Sequence, residues 1–148
     1  MYLEDIQKDF LVEDLDYETK ARLDKDNILG WMKSISGYAN ANGGTIYLGV
    51  EDKTHKLIGY TLKEYDIEKM FFYKTLKEHL PILPTIETEP LVYEMNGSKR
   101  YIMKIIVRKA TNKPIIIKYN SMPLIYVRRD GYTNAATVEE IRQMVIQS

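Results

Sequence analysis

The 148-residue chain contains no cysteine, only two histidines and a single tryptophan. The lack of cysteine excludes disulfide bonds and thiolate metal sites, and it fits a cytoplasmic protein. His55 and His79 are isolated in the sequence, so neither a histidine metal site nor a Ser-His-Asp triad is expected. No apolar run approaches the roughly 18 residues of a membrane span, and the acidic N-terminus lacks the pattern of a signal peptide. These absences predict a cytoplasmic protein with no membrane partner.

Neither sign of charge is in excess, because 21 Lys and Arg balance 21 Asp and Glu. Proteins that bind nucleic acid by counterion release usually carry a basic excess. Any contact with nucleic acid must therefore come from a local basic patch or from metal ions held by carboxylates. The length and the 45% apolar content are typical of one soluble domain, which we expect to span residues 1–148.

The most informative segment runs from Ser36 to Asp52. A helix capped by Asp24 or Asp26 is expected to run to about Asn40, with apolar residues three and four apart as its buried stripe. The Asn-Gly-Gly turn that follows stops the helix, because glycine accepts a left-handed conformation at no steric cost. Exposed backbone N–H groups that bind a phosphate are the alternative interpretation of this turn. A short buried strand then leads to two adjacent carboxylates.

The remaining pattern predicts an α+β fold with a mixed or antiparallel sheet, two main helices and a short C-terminal helix. Residues 13–20 alternate as a strand with an acidic face. Residues 63–80 form the second amphipathic helix, whose apolar stripe consists of Ile67, Met70, Phe71, Leu76 and Leu80. An Asn-Gly pair indicates a hairpin, and a capping box at Thr137 opens the last helix. The later strands are expected at residues 85–95, 100–108, 114–119 and 124–129.

Carboxylates from two strands can share a divalent cation, which activates water for phosphodiester cleavage. Glu13 and Glu18 come from the first predicted strand, and Glu51 and Asp52 follow the central strand; Glu18, Glu51 and Asp52 are the candidate metal ligands. Residues five apart on a regular strand face opposite ways, so Glu13 and Glu18 converge only if a bulge intervenes. The rival ligands on the same face as Glu18 are Asp14 and Asp16. The alternative is that all these acids are solvated surface groups.

Basic residues offer a second kind of site, a contact with phosphate groups. Two adjacent arginines at the end of the last strand are better placed to grip phosphate than scattered lysines. Tyr126 and Tyr132 flank this pair, and tyrosine rings can stack on bases. A solvated face of alternating charge is the alternative. The candidate nucleic-acid contacts are Lys20, Arg22, Lys33, Arg128 and Arg129.

The segment 36–52 resembles the AlbA-like domain of the Schlafen type, and the resemblance extends from about residue 13 to residue 145. The family pattern has an acid, a Glu-aromatic-Lys element, an Ala-Phe-Ala-Asn helix end, paired glycines, a strand, an acid pair and a late arginine segment. The matching elements here are Glu13, Glu18-Thr19-Lys20, Gly37-Tyr38-Ala39-Asn40, Glu51-Asp52 and the segment from Tyr126 to Thr133. Thr19 replaces the aromatic residue, and Asp-Gly stands where the family more often has Gly-Ser.

The resemblance implies a DNA-binding module of a bacterial transcriptional regulator, placed at the front of a longer protein and needing no cofactor. A metal-dependent ribonuclease is the alternative, with Glu13, Glu18 and Asp52 as its catalytic carboxylates and Mg²⁺ or Mn²⁺ as its cofactor. A domain that senses a ligand or binds another protein is a third interpretation. The expected partner is nucleic acid, DNA before RNA, and a homodimer remains an open alternative.

Overall fold

The computed structural model describes residues 1–8 and 16–147, and the chain divides into two compact units. Each unit is assembled from three separate stretches of sequence. The first comprises Met1–Leu23, Thr45–Phe72 and Glu87–Ile106, and the second comprises Asp24–Gly44, Tyr73–Ile86 and Val107–Ser148. None of the helices in the described stretches is long and apolar enough to cross a membrane.

The secondary structure confirms the predicted α+β class. The helices are α1 (Leu3–Ile6), α2 (Ile28–Ala39), α3 (Leu62–His79) and α4 (Val138–Gln147). The strands are β1 (Tyr17–Lys20), β2 (Gly44–Leu48), β3 (Ile86–Met95), β4 (Ser98–Val107), β5 (Ile117–Tyr119), β6 (Met122–Leu124), β7 (Tyr126–Arg129) and β8 (Tyr132–Ala135). A mixed sheet has the order β1-β2-β4-β3, with β1 parallel to β2, and β5–β6 and β7–β8 form two antiparallel hairpins. The first part of the strand predicted at residues 13–20 lies outside the described residues.

The core of the first unit covers one face of the mixed sheet. It contains Tyr47 of β2 and Ile102 of β4, packed with Leu3, with Val50 and Leu57 of the loop after β2, and with Tyr93 of β3. The predicted hairpin at Asn96-Gly97 is confirmed, since both turn residues have positive φ, at 52° and 79°. Two consecutive positive φ values match the right-handed twist of the flanking strands, which fixes the pairing of β3 with β4.

Helix α2 organises the second unit, and its cap differs from the predicted one. Asn27 is the N-cap, because its Oδ1 accepts the N–H of Gly30 at 3.2 Å. Asp24 instead accepts the N–H groups of Asp26 and Asn27 and so shapes the preceding turn. The helix ends as predicted, with Gly43 at φ 82° and its N–H bonded to Tyr38 O at 2.9 Å. That bond favours the helix stop over a phosphate site at this N–H.

The apolar stripe predicted for α3 is only partly buried: Leu76 and the following Leu80 are buried as expected, and two other members are not. Ile67 and Met70 are 51% and 73% exposed, whereas Tyr65 and Phe72 are buried. Apolar residues recur three and four apart on more than one face of this helix, so the spacing alone could not choose the buried face. The buried stripe even includes Glu68, whose carboxylate accepts the Tyr60 hydroxyl at 2.9 Å.

The strand predicted at residues 124–129 is divided between two hairpins. Strand β6 pairs back with β5, and β7 pairs forward with β8. Each hairpin has its own tight turn of two residues with positive φ: Asn120-Ser121 in the first and Asp130-Gly131 in the second. Two turns ten residues apart each require their own pair of short strands, so one continuous strand cannot serve both.

Candidate nucleic-acid interface

One acidic residue that follows the central strand, Asp52, contacts β1 through Thr19. The Thr19 hydroxyl donates to the carboxylate of Asp52 at 3.2 Å, and it lies equally close to the Asp52 backbone oxygen. Successive side chains of a strand point to opposite faces, so Glu18 belongs to the other face of β1. The structure therefore brings Asp52 to Thr19, the residue next to Glu18 in β1.

The metal-ligand set predicted from the sequence is not assembled within the described stretches. Glu51 is exposed, and its backbone closes a tight turn with the backbone of His55 and Lys56 at 2.9 Å. Within residues 1–8 and 16–147, no three acidic or histidine side chains are grouped to hold a metal ion. Glu13 lies outside the described residues, so the role given to it remains a prediction.

Arg22, a predicted phosphate contact, is engaged in internal contacts. Its guanidinium lies 4.0 Å from the centroid of the Tyr60 ring and donates to the backbone oxygens of Gly59, at 2.7 Å, and Ala21, at 2.8 Å. Burial, together with the charge of Glu68, raises the pKa of the Tyr60 hydroxyl, so the phenol stays a neutral donor. Arg22 therefore covers a buried tyrosine.

Lys20 and Lys33 are both half-buried. Lys20 shares the Glu18 face of β1, because alternate residues of a strand point the same way. Lys33 lies in the middle of α2 and belongs to the second unit. The two predicted phosphate contacts therefore belong to different units, and neither has a described contact that marks it as part of a phosphate site.

The arginine pair at the end of β7 holds the last hairpin in place. The Arg128 guanidinium lies 5.0 Å from the centroid of the Tyr38 ring and donates to the Thr133 hydroxyl at 3.3 Å. Arg129 forms an ion pair with Glu140 at 2.6 Å and donates to the Ala135 backbone oxygen at 3.1 Å. Both predicted phosphate contacts thus link β7 to its neighbours in the second unit.

Glu140 is also part of the capping box predicted from the sequence. Its carboxylate accepts the Thr137 N–H at 2.9 Å, and its own N–H donates to the Thr137 hydroxyl at 3.1 Å. Burial acts to raise the pKa of Glu140, but the bonds from Thr137 and Arg129 outweigh it and hold that pKa below its usual range. Glu140 therefore joins the start of α4 to the end of β7 as a charged group.

Asn40, at the end of the Gly-Tyr-Ala-Asn motif, binds backbone groups of two other segments. Its side-chain amide donates to the backbone oxygens of Ile115, at 3.1 Å, and Tyr126, at 2.8 Å, and its Oδ1 accepts the Ile115 N–H at 2.7 Å. The residue is 3% exposed. These hydrogen bonds satisfy three backbone groups that the fold encloses. Asn40 therefore acts as a clasp, connecting the end of α2 to two other segments of the second unit.

Two lysines that belong to none of the sequence motifs lie beside the turn that ends α2. Lys113 Nζ donates to the Ala41 backbone oxygen at 3.4 Å, and a side chain at Gly43 would meet the Lys109 backbone N–H at 3.2 Å. Burial lowers the pKa of Lys113, and the charge of Lys109 lowers it further. The two ammonium groups therefore repel each other, and an anion beside them would relieve that repulsion.

A signal for this region was present in the sequence, since no acidic residue occurs between positions 95 and 129. The rest of the chain has twelve basic and 21 acidic residues. The second unit carries eleven Lys and Arg against six Asp and Glu, a net charge of +5, and the first unit carries −5. The total charge of zero thus conceals a basic unit. The nine basic residues of the acid-free segment are Lys99, Arg100, Lys104, Arg108, Lys109, Lys113, Lys118, Arg128 and Arg129.

The fold is of the α+β class, and its second unit is basic. The model of the Schlafen AlbA_2 family matches residues 13–137. This match covers most of the chain, and the protein belongs to that family. No curated protein matches the chain. Family membership supports a domain whose role relates to nucleic acid, as the resemblance of its motifs implied.

Proposed function

We propose that the protein is a nucleic-acid-binding module of a bacterial transcriptional regulator, with DNA as its ligand. One observation carries this proposal: the charge is segregated, and six of the nine cations of the acid-free segment 95–129 belong to the second unit, whose net charge is +5. A local excess of this kind provides the electrostatic attraction that the total charge lacks.

Lys109 and Lys113 are the best candidates for the phosphate contact. They flank the turn that ends α2, and the partial desolvation of Lys113 makes an added negative charge more favourable there. Each lysine that neutralises a phosphate releases a bound counterion, so duplex affinity falls by about 0.9 log units per tenfold rise in salt for each such contact. Removing two contacts together should therefore change the slope of log affinity against log salt concentration by about 2.

The test compares the double variant Lys109→Gln/Lys113→Gln with a matched control, Lys53→Gln/Lys56→Gln. The control removes the same charge from two exposed lysines of the first unit. The affinity for a labelled 20-base-pair duplex is measured by fluorescence anisotropy over a series of salt concentrations. We expect the Lys109/Lys113 variant to bind about tenfold more weakly, with a slope shallower by about 2, and the control to differ little from the parent protein.

If the two double variants lose the same affinity for the duplex, the contact is not localised at Lys109 and Lys113, and only the net charge matters. If the parent protein binds neither duplex nor single strand at low salt, the proposed function is wrong. The fluorescence of Trp31, which is 2% exposed in α2, reports in each variant whether the second unit is still folded.

A further inference from the structure

The turn of the β7–β8 hairpin carries the most exposed aromatic side chain among the described residues. Tyr132 is 73% exposed, whereas most of the other tyrosines are buried or half-buried. It is the first residue of β8 and follows the Asp130-Gly131 turn. A large ring left in water at the end of a hairpin offers a flat apolar face to a ligand.

The hairpin holds this ring on a well-anchored support. Tyr132 pairs with Arg129 across the two strands, and the turn between them has the two consecutive positive φ values of a tight hairpin. The ion pair from Arg129 to Glu140 fixes this end of β7 to the first turn of α4. A tyrosine side chain has only two χ angles, so ordering the ring against a ligand costs little conformational entropy.

The charge of the surrounding chain indicates what the ring would contact. Strand β7 is the end of the acid-free segment, and its unit carries the net charge of +5. A basic surface with an exposed tyrosine suits a nucleic acid, whose phosphates are attracted by the lysines and whose bases stack on aromatic rings. Bases of an intact duplex stack on one another, so their faces are not accessible to a side chain.

We infer that Tyr132 stacks on an unpaired base, and that the ligand is therefore single-stranded or locally opened nucleic acid. This inference rests on the proposed function and specifies its ligand. Arg128 and Arg129 are engaged in anchoring the hairpin. The end of the β7–β8 hairpin therefore contributes to binding mainly through the face of the Tyr132 ring. The phosphate contact falls to the lysines after β4.

The experiment uses Tyr132→Leu, which removes the ring, and Tyr132→Phe, which keeps it. Both are measured against three oligonucleotides of one sequence: a single strand, the full duplex, and the duplex with a central mismatched bubble. We expect Tyr132→Leu to bind the single strand and the bubble between about fivefold and a hundredfold more weakly, with a change below about twofold for the duplex. Tyr132→Phe should bind all three like the parent protein.

A third variant, Tyr132→Trp, adds a spectroscopic measurement. The indole at the tip should be quenched when the single strand binds, while the buried Trp31 contributes a constant background. A quench that appears with the single strand and not with the duplex supports stacking on an unpaired base.

The possible failures are distinguishable. If the parent protein binds nucleic acid through Lys109 and Lys113 but Tyr132→Leu binds every ligand normally, the stacking inference is overturned and the proposed function stands. An equal loss for all three ligands also overturns it, because the tip then contacts features shared by single and double strands. If the parent protein binds no nucleic acid at low salt, both proposals are wrong.

Discussion

Replacing Asn40 tests whether the side-chain amide at the end of α2 holds the second unit together. The variant Asn40→Leu keeps the number and branching of the side-chain heavy atoms and removes three hydrogen bonds, two to Ile115 and one to Tyr126. The Ile115 N–H loses its partner in a buried environment, and two backbone oxygens each lose one donor. The variant therefore leaves polar groups enclosed without the partner that the native fold gives them.

The size of the effect follows from the number of groups left without that partner. A buried N–H or C=O without a partner costs about 1–3 kcal/mol, and a carbonyl with a second lone pair costs less than an N–H. We expect Asn40→Leu to lower the free energy of unfolding by about 3 kcal/mol, with a range of about 2–5 kcal/mol. For a chain of this size, that loss lowers the melting temperature by about 6–12 °C.

The variant Asn40→Asp separates hydrogen bonding from shape. Aspartate keeps an acceptor for the Ile115 N–H, but it turns a negative oxygen toward the carbonyl oxygens of Ile115 and Tyr126. Burial and these oxygens should raise its folded pKa above the unfolded value of about 3.9. Stability is then fully present below the unfolded pKa and is lost as the pH rises through the folded pKa. Asn40→Asp should therefore be closest to the parent protein in acid.

Urea denaturation followed by Trp31 fluorescence measures both variants, because Trp31 is the only tryptophan and lies in α2, the helix whose C-cap is Asn40. The measurement is repeated at several pH values, with Asn40→Leu as the control that cannot titrate. A decrease in the free energy of unfolding below about 1 kcal/mol for Asn40→Leu would refute the structural role of the Asn40 hydrogen bonds, since one buried group without a partner should cost that much. Identical pH profiles for the two variants would refute the electrostatic part of the argument.

Two further substitutions test contacts in the same unit. Gly44→Ala places a methyl group 2.3 Å from the buried Tyr38 ring, so thermal melting should show that the free energy of unfolding falls by about 1–3 kcal/mol. The same substitution should cost less in a Tyr38→Leu background, and an unchanged cost there contradicts the steric cause. Glu140→Gln should lower stability by about 1 kcal/mol at neutral pH. Because the pKa of Glu140 is depressed in the folded state, its contribution to stability is present above the unfolded pKa and is lost as the pH falls through the folded pKa. Urea titrations of the parent protein and the variant should therefore give converging free energies of unfolding in acid, and a difference that stays constant with pH contradicts this.

Local signals predicted much of the fold, because each depends on the backbone of a few consecutive residues. The Asn96-Gly97 hairpin, the stop at Gly43 and the capping box at Thr137 all appear in the structure. The buried face of α3 could not be predicted in this way, since apolar residues occupy several of its faces and the burial of Glu68 depends on Tyr60, a residue of another segment. Contacts with residues distant in sequence determine which face of α3 is buried.

The candidate site was harder to predict than the fold, and the reason lies in how charged side chains are used. Arg22 and Arg129 have the residue type that grips phosphate, yet each is engaged by groups distant in sequence, a tyrosine ring and a carboxylate. Such engagements depend on the fold and leave no local pattern. The absence of acids between residues 95 and 129 was visible in the sequence, but a net charge taken over the whole chain averages it away.

The residues that carry the family resemblance serve mainly to build this domain. Asn40 clasps two segments, Gly44 makes room for the Tyr38 ring, and the arginines of the late motif anchor a hairpin. A match to the motif therefore predicts the fold more directly than it predicts a ligand. The residues proposed to bind, Lys109, Lys113 and Tyr132, are not the ones that define the motif's central run. Substitutions at Asn40, Gly44 and the two arginines should therefore act first on stability. Substitutions at the three proposed contacts should change affinity for nucleic acid and leave stability nearly unchanged.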